Sequence, residues 1–352
     1  MERIHIAFFG PTNSGKSTLV NAIAGQQVSL VSDVPGTTTD PVRKLIELPG
    51  LGPCVLIDTA GLDDTGILGS ERQRLTRAVL DETDVAVVLQ LSQNDDFGTL
   101  AAQAGIPVIH YSRGQSVESL LRRIREAVPQ EEQRYLTGNL VKAGDTVLLV
   151  MPQDSEAPKG RLILPQVQVL RELLDRGCNP VCCTPESLPS ALAALKALPA
   201  LTITDSQVFA LVNRALPGTA PLTSFSVLLA AAKGDAAVFA EGAKAIDRLT
   251  SGARVLIAEA CTHVPNTEDI GRVKIPALLR KKADIQVEIA AGNDFPEDLT
   301  QYDLIIHCGA CVATRTLVRA RTRKALLAGV PITNYGIALA YLQGMLDRIV
   351  IP

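Results

Sequence analysis

Short, mainly apolar runs alternate along this chain with segments whose apolar residues return every three or four positions, the signature of buried strands interleaved with amphipathic helices. Ile4 to Phe9, Cys54 to Ile57, Val85 to Leu91 and Ile106 to Tyr111 read as the first strands. Lys16 to Ala24, closed by Gly25, Phe97 to Ala104 and Val117 to Ala127 read as the first helices. The polar stretch Pro129 to Ala143 is a connector. The alternation resumes with strands at Thr146 to Met151, Pro180 to Thr184 and Leu201 to Thr204, between helices at Leu164 to Asp175, Pro189 to Leu195 and Gln207 to Ala215. A last series places strands at Val255 to Glu259, Ile285 to Ala290, Leu304 to Ile306 and Val330 to Thr333, with a helix over Val312 to Ala328. This βαβ rhythm predicts an α/β chain with mainly parallel sheets. A chain of 352 residues exceeds what one core usually serves, so three domains are expected, a larger one over 1–130 and two smaller ones over 131–221 and 222–352.

Gly10-Pro11-Thr12-Asn13-Ser14-Gly15-Lys16-Ser17 has the form GxxxxGK(S/T) and lies between the first strand and the first helix, the context that makes it a phosphate-binding loop. Backbone N–H groups at the helix N-terminus point at one anion. Gly10 and Gly15 let the backbone wrap phosphate oxygens, Lys16 brings a positive charge to the outer phosphates, and Ser17 offers a hydroxyl to Mg²⁺. Asn13, Ser14 and Thr18 complete the loop. Asp58-Thr59-Ala60-Gly61 follows a strand, placing Asp58 near the metal and Gly61 by the terminal phosphate. Between the two motifs, Pro35 to Asp40 is a turn whose Thr37 and Thr38 are candidates to complete the Mg²⁺ shell when a third phosphate is present. Three motifs in register predict a P-loop GTPase domain, with Lys16, Asn13 and Thr38 as its catalytic candidates. No glutamine follows Gly61, where Leu62 stands, so turnover is expected to be slow, roughly 10⁻⁴ to 10⁻² s⁻¹. The guanine-reading tetrapeptide NKxD or TKxD is missing, and Asp84 to Ser112 is short of one strand-helix unit. Charge-assisted hydrogen bonds from such an aspartate are worth about 1.5 to 3 kcal/mol each, so guanine preference is expected to weaken by about ten- to a hundredfold or more.

Composition narrows the partners. Apolar residues make up 47%, aromatics 3%, and the formal charge is −3, which describes a globular chain. Without a basic block or an aromatic platform, nucleic acid is not the expected partner. No apolar run reaches the roughly 18 residues that span a bilayer, and Met1 leads directly into the first strand, so a cytoplasmic location is expected. The charged loop Asp154 to Arg161 reads as an interface or exposed turn ahead of a site.

Seven cysteines in such a chain point away from disulfides and toward metal. Cys54, Cys178, Cys182 and Cys183 read as small core residues. Cys261 and His263 follow one strand of the last series, and His307, Cys308 and Cys311 follow another. In open parallel sheets the ligand crevice lies beyond the carboxyl ends of strands. A helix opening at the second group would favour thiolate through its dipole. Three cysteines and a histidine suit tetrahedral Zn²⁺ and an iron-sulfur cluster equally, although three thiolates alone leave one iron of a cluster open to exchange.

GPTNSGKSTLVNAI, PGTTTDPV and DTAGL resemble the TrmE/Era class of GTPases. That resemblance implies that Asn13 helps hold a K⁺ ion beside the phosphates and that GTP hydrolysis is potassium-stimulated. Over nearly the full length, PGTTTDPV, DSEAPKGRLILPQVQ, TSFSVL, KGD at Lys233 to Asp235, CTH and HCGAC resemble the HydF family of FeFe-hydrogenase maturation GTPases. The family implies a GTPase domain, a dimerisation domain and a 4Fe-4S domain in a homodimer that carries a two-iron precursor to apo FeFe-hydrogenase, with radical-SAM maturases as further partners. Carried over, Cys261, Cys308 and Cys311 hold the cluster, and His263 or His307 is its exchangeable fourth ligand. Two other readings stay open: a catalytically weak nucleotide-binding scaffold of the same family, and a TrmE/Era-like RNA-associated GTPase with a structural zinc site, whose RNA binding would fall steeply with salt.

Overall fold

The computed structural model describes residues 3–25, 41–60, 69–89, 97, 101–102, 104–128, 135–153, 160–260, 269–292, 294–311 and 313–352. The chain forms two compact units, residues 1–132 with 314–321 and residues 133–313 with 322–352. Among the described residues no helix is long and apolar enough to cross a membrane.

The first unit is built on β1 (Ile4–Phe9), β2 (Val42–Leu48), β3 (Gly52–Asp58), β4 (Val85–Leu89) and β5 (Val108–Tyr111), in the order β2-β3-β1-β4-β5. All pairs are parallel except β2 with β3. Helices α1 (Lys16–Ala24), α2 (Gly69–Glu82) and α3 (Val117–Ala127) cover both faces. Ile6 and Phe8 pack with Leu19, Leu120 and Ile124 on one side, while Ala7 and Phe9 pack with Val79, Leu80 and Phe97 on the other. Burial on two faces is why the central strands β1 and β4 are almost entirely apolar. The β2 strand has no counterpart in the sequence reading. Its Arg43, Leu45 and Glu47 are exposed on the sheet edge, so its pattern alternates, and Gly50 at φ 79 turns it back into β3. Because β5 pairs directly with β4, from Ala86 opposite Val108 to Leu89 opposite Tyr111, the strand that precedes the last helix takes the fifth place, and no sixth strand is present among the described residues.

The second unit holds two modules. The middle one comprises β6 (Thr146–Val150), α4 (Leu164–Asp175), β7 (Asn179–Cys183), α5 (Leu188–Ala194), β8 (Leu201–Thr204), α6 (Phe209–Ala215), β9 (Leu222–Ser224) and α7 (Phe225–Lys233). The last comprises α8 (Ala236–Ala243), β10 (Arg254–Glu259), α9 (Ile275–Arg280), β11 (Gln286–Ala291), β12 (Leu304–His307), the final turns of α10 (Arg315–Leu327, whose residues 315–321 are counted with the first unit), β13 (Ile332–Asn334) and α11 (Tyr335–Leu342). Their sheets, β7-β6-β8-β9 and β11-β10-β12-β13, are wholly parallel and share one strand order. Each starts in the middle and reverses there, which opens a crevice beyond the carboxyl ends of the central strands.

The likeness extends to sequence. Leu222-Thr223-Ser224-Phe225-Ser226-Val227-Leu228-Leu229-Ala230 is echoed by Ile332-Thr333-Asn334-Tyr335-Gly336-Ile337-Ala338-Leu339-Ala340. In both, a three-residue strand passes directly into a capped helix: Ser224 Oγ accepts from the Val227 N–H at 3.2 Å, and Asn334 Oδ1 from the Gly336 N–H at 2.8 Å. The two helices pack together at Gly336, where a Cβ would stand 2.4 Å from Ser226 Oγ.

Three sequence expectations are corrected. β9 belongs to the middle sheet, so that module runs past residue 221. The helix expected from Val312 begins at Arg315, with Thr314 Oγ1 accepting from the Leu317 N–H at 3.2 Å as its cap. Cys182 is exposed on the edge strand β7 and Cys183 is half-buried, whereas Cys54 and Cys178 are buried as expected. Burial pushes the Cys54 thiol up to about 11.

Gly242 in α8 presses on the backbone of β13, where a Cβ would lie 1.9 Å from the Ile332 carbonyl oxygen. Gly242→Ala is therefore expected to destabilise the second unit by about 1–3 kcal/mol or more through overpacking, read by thermal unfolding. Gly218→Ala, with open space around it, stays within about 0.5 kcal/mol of wild type.

Candidate functional site

The nucleotide loop leaves the end of β1 and enters α1. Gly10, at φ 154, passes so close to β4 that a Cβ would meet the Leu89 carbonyl oxygen at 2.4 Å. Asn13 adopts the left-handed conformation at φ 60 and Gly15 at φ 97; asparagine tolerates this region better than most residues. Ser14 is buried, and its hydroxyl has no partner among the described residues. Lys16 is buried against its own loop, its ammonium donating to the Gly10 carbonyl at 2.8 Å and the Pro11 carbonyl at 2.7 Å. Ser17 and Thr18 begin the helix, the first partly buried and the second exposed.

Asp58 closes β3 beside this loop. It is buried, and its Oδ1 has no hydrogen-bond partner among the described residues. A carboxylate oxygen left so is poised for a cation, which fits Mg²⁺ held from one side by Asp58 and from the other by the Ser17 hydroxyl. Thr59 pins the strand end, its hydroxyl donating to the Phe8 carbonyl at 2.7 Å. Thr37, Thr38 and Gly61 lie outside the described residues. Sequence reasoning passed over Arg113, in the loop after β5, whose Nε and Nη2 each stand 3.9 Å from where a Gly15 Cβ would be. The signal available was its position, in the loop that follows the fifth strand.

The second site is the crevice beyond β10, β12 and β13. Cys261 and His263 lie outside the described residues. His307 ends β12, buried, and its Nδ1 meets the Cys308 carbonyl at 2.8 Å. Since a carbonyl only accepts, Nδ1 carries a proton, and in the neutral ring Nε2 is then the acceptor nitrogen. The Cys308 N–H donates to the Ala258 carbonyl at 2.8 Å, extending the register of β12 with β10, and Asn334 Nδ2 donates to the Cys308 carbonyl at 3.2 Å. The Cys308 sulfur accepts from the Ala260 N–H at 3.1 Å and the Ala310 N–H at 3.4 Å. Donors converging on sulfur favour its charged form. Ala310, at φ 50, gives the left-handed step with which backbone N–H groups line up toward an anion. Cys311 is exposed. Helix α10 starts four residues beyond it, so the sulfurs owe their setting to the loop and not to the helix terminus expected from the sequence.

At the rim, Glu259 closes β10 and is 1% exposed. Arg272 donates to its carboxylate through Nε, to Oε1 at 3.1 Å and Oε2 at 3.3 Å, and through Nη2, to Oε2 at 2.6 Å. Tyr335, at the start of α11, keeps a buried hydroxyl with no partner among the described residues. Burial first, and then the charge of Cys308, holds that phenol well above its usual range. Among the described residues, which exclude Cys261 and His263, no three His, Cys, Asp or Glu side chains gather as a metal site. The donor set nevertheless suits a thiolate-bound anionic centre: N–H groups are aimed at the Cys308 sulfur, and the Glu259 carboxylate that ends β10 is paired with a guanidinium.

Three family models match in succession. The first is a 50S ribosome-binding GTPase over residues 5–127, the second the hydrogen maturase F dimerization domain over 136–234, and the third the hydrogen maturase F tetramerization domain over 237–352. Curated relatives match within the first unit. The tRNA modification GTPase MnmE of Xanthomonas oryzae pv. oryzae is 44% identical over 87 residues, 24% of this chain and 19% of that protein. MnmE of Ruegeria pomeroyi is 36% identical over 136 residues, 35% of this chain and 32% of that protein. The chain thus spans about a fifth to a third of the length of these relatives. Among solved structures, Era in complex with MgGDPNP and 16S ribosomal RNA is 16% identical at a TM-score of 0.33, covering 52% of this chain and 94% of that one. NFeoB from S. thermophilus bound to GDP.AlF4- and K+ is 17% identical at 0.22, covering 39% and 74%. Likeness at those scores adds nothing to the topology above.

Lys16→Ala is expected to weaken Mg-GTP binding by more than about 100-fold, the usual consequence of removing one partner from a desolvated charge pair, without changing metal uptake by the second unit. Isothermal titration with Mg-GTP checks the first part and iron analysis the second. Retained affinity would place the phosphates elsewhere.

Proposed function

The chain belongs to the hydrogen maturase F family, and on that premise we propose that it is a GTP-binding scaffold that carries a 4Fe-4S cluster and delivers a two-iron precursor to apo FeFe-hydrogenase. The observation that carries this reading is the Cys308 sulfur held by two backbone N–H groups at the shared carboxyl ends of β10 and β12, in the same chain as a phosphate-binding loop.

At the nucleotide site, Lys16 exchanges its loop carbonyls for the outer phosphates, and the N–H groups of Asn13 to Thr18 cradle them. Ser17, Asp58 and Thr38 hold Mg²⁺, with Thr37 beside them and Gly61 at the terminal phosphate. Asn13, exposed and left-handed, offers its amide oxygen to K⁺, which supplies charge where an arginine finger acts elsewhere. Hydrolysis is slow. The fifth strand ends the described sheet, and the loop after it reads Ser112-Arg113-Gly114-Gln115 with no carboxylate, so selectivity for guanine is weak. A second reading, a scaffold that binds nucleotide and barely turns it over, is favoured by that same shortened sheet.

In the second unit, Cys261, Cys308 and Cys311 hold the cluster, which supplies an iron with one exchangeable position when bound. His307 through Nε2, or His263, would be the fourth ligand at that position. Self-association through the middle module is supported by Leu164, Val167 and Leu174, exposed along one face of α4; a homodimer is the basic assembly. Radical-SAM maturases supply the precursor, the setting is the cytoplasm, and neither nucleic acid nor membrane is a partner.

Phosphate release measured with GTP and with ATP in potassium and sodium buffers tests the first half. Potassium should raise turnover, and GTP should be preferred by less than about 100-fold, given the missing charge-assisted bonds; an absent potassium effect favours the weak-turnover reading. For the second half, Cys308→Ala with Cys311→Ala should abolish the visible absorbance of anaerobically reconstituted protein while leaving it folded by circular dichroism. Absorbance that persists would mean another ligand set.

A further inference from the structure

Lys233 is the last residue of α7, in the middle module, and only 5% of it is exposed. An ammonium taken out of water needs its three donors matched. Lys233 Nζ donates to the Ala310 carbonyl at 2.6 Å, the Ala313 carbonyl at 2.8 Å and the Cys311 carbonyl at 3.3 Å. All three acceptors lie in the loop between β12 and α10 that carries Cys308 and Cys311.

Carbonyl and N–H point in opposite directions across a trans peptide. A cation that gathers the Ala310 carbonyl on one side of the loop therefore turns the Cys311 N–H to the other. One peptide earlier, the Ala310 N–H reaches the Cys308 sulfur. The left-handed turn at Ala310 is disfavoured for a residue with a Cβ, and such a conformation persists only where its surroundings over-determine it. The bond from Lys233 to the carbonyl of Ala310 itself is such a constraint. It reaches the loop from the neighbouring module, 77 residues earlier in the chain.

We propose that Lys233 is a positioning residue for the metal-binding loop: from the middle module it presets the backbone that aims the sulfurs of Cys308 and Cys311 into the crevice, before any metal arrives. The inference rests on the reading of that loop as a metal-ligand loop. It makes the cysteine site a joint product of two modules, so that a change in the middle module at α7 is felt at the sulfurs.

The test uses the full-length protein with Lys233→Met and, separately, Lys233→Gln, whose amide can still reach the carbonyls without a charge. Hydrogen exchange of the apo protein, read by mass spectrometry on the peptide covering residues 308–314, is compared with the rate at which a chelator strips iron after anaerobic reconstitution. Thermal unfolding confirms that each variant is folded; should the Met variant fail to fold, the Gln variant decides. The expected result is faster exchange confined to that peptide, together with iron loss accelerated by about tenfold or more, the range found when outer-shell partners of metal ligands are removed. Wild-type iron retention in a folded variant overturns the proposal, whatever happens to exchange, because Lys233 would then be structural only. If the wild-type protein itself takes up no iron, the cluster reading fails, and exchange on that peptide alone decides whether Lys233 sets the loop: unchanged exchange overturns it.

Discussion

Parallel strands that finish on one rim dictate where this chain can do chemistry. At a strand's carboxyl end the ladder stops, backbone donors and acceptors are released, and the helix that follows brings further N–H groups to the same edge. The phosphate-binding loop follows β1, Asp58 closes β3, and Arg113 sits in the loop after β5, all on one edge of the first sheet. In the last module, Glu259 closes β10, His307 and Cys308 follow from β12, and Tyr335 opens the helix after β13. Sheet order then decides which of these ends are neighbours: β10 lies beside β12, and β12 beside β13.

Within the second unit the same strand order occurs twice, and the paired helices α7 and α11 meet where Gly336 admits Ser226. This contact accounts for the reach of Lys233. A helix that must pack against its counterpart delivers its final residue to the other module's ligand loop, where three carbonyls match its three donors. The ion pair of Glu259 and Arg272 at the end of β10 leaves the buried carboxylate compensated at the rim of the same crevice. Charge is thus balanced at the rim: the Glu259 carboxylate is paired with Arg272, the Lys233 ammonium lies behind the loop, and backbone N–H groups face the Cys308 sulfur.

Much of this was legible in the sequence because it depends on local rules. Strands buried on both faces appear as apolar runs, and GxxxxGK(S/T) between a strand and a helix has one physical meaning. The half-exposed β2 escaped because an edge strand alternates and carries Arg43, Leu45 and Glu47 outward. The start of α10 was misplaced because Thr314, the cap, is preceded by apolar residues that suit a helix as well as a loop. Cys182 looked like core because β7 has the composition of a strand, and nothing local says that it lies on an edge. Lys233 was noticed only as part of a motif; its partners are carbonyls, which carry no side-chain signature. The repeat of Leu222 to Ala230 by Ile332 to Ala340 was the available signal for the duplicated module, and it would have placed β9 in the middle sheet.

On the function proposed above, the crevice at the carboxyl ends of β10 and β12 would hold an iron-sulfur cluster with one exchangeable iron. Anaerobic reconstitution followed by metal analysis and electron paramagnetic resonance of the reduced protein tests it most directly. About four irons per chain and a reduced-cluster signal altered by an added exogenous ligand are expected. Stoichiometric zinc, or protein that emerges without iron and without a signal, would contradict it.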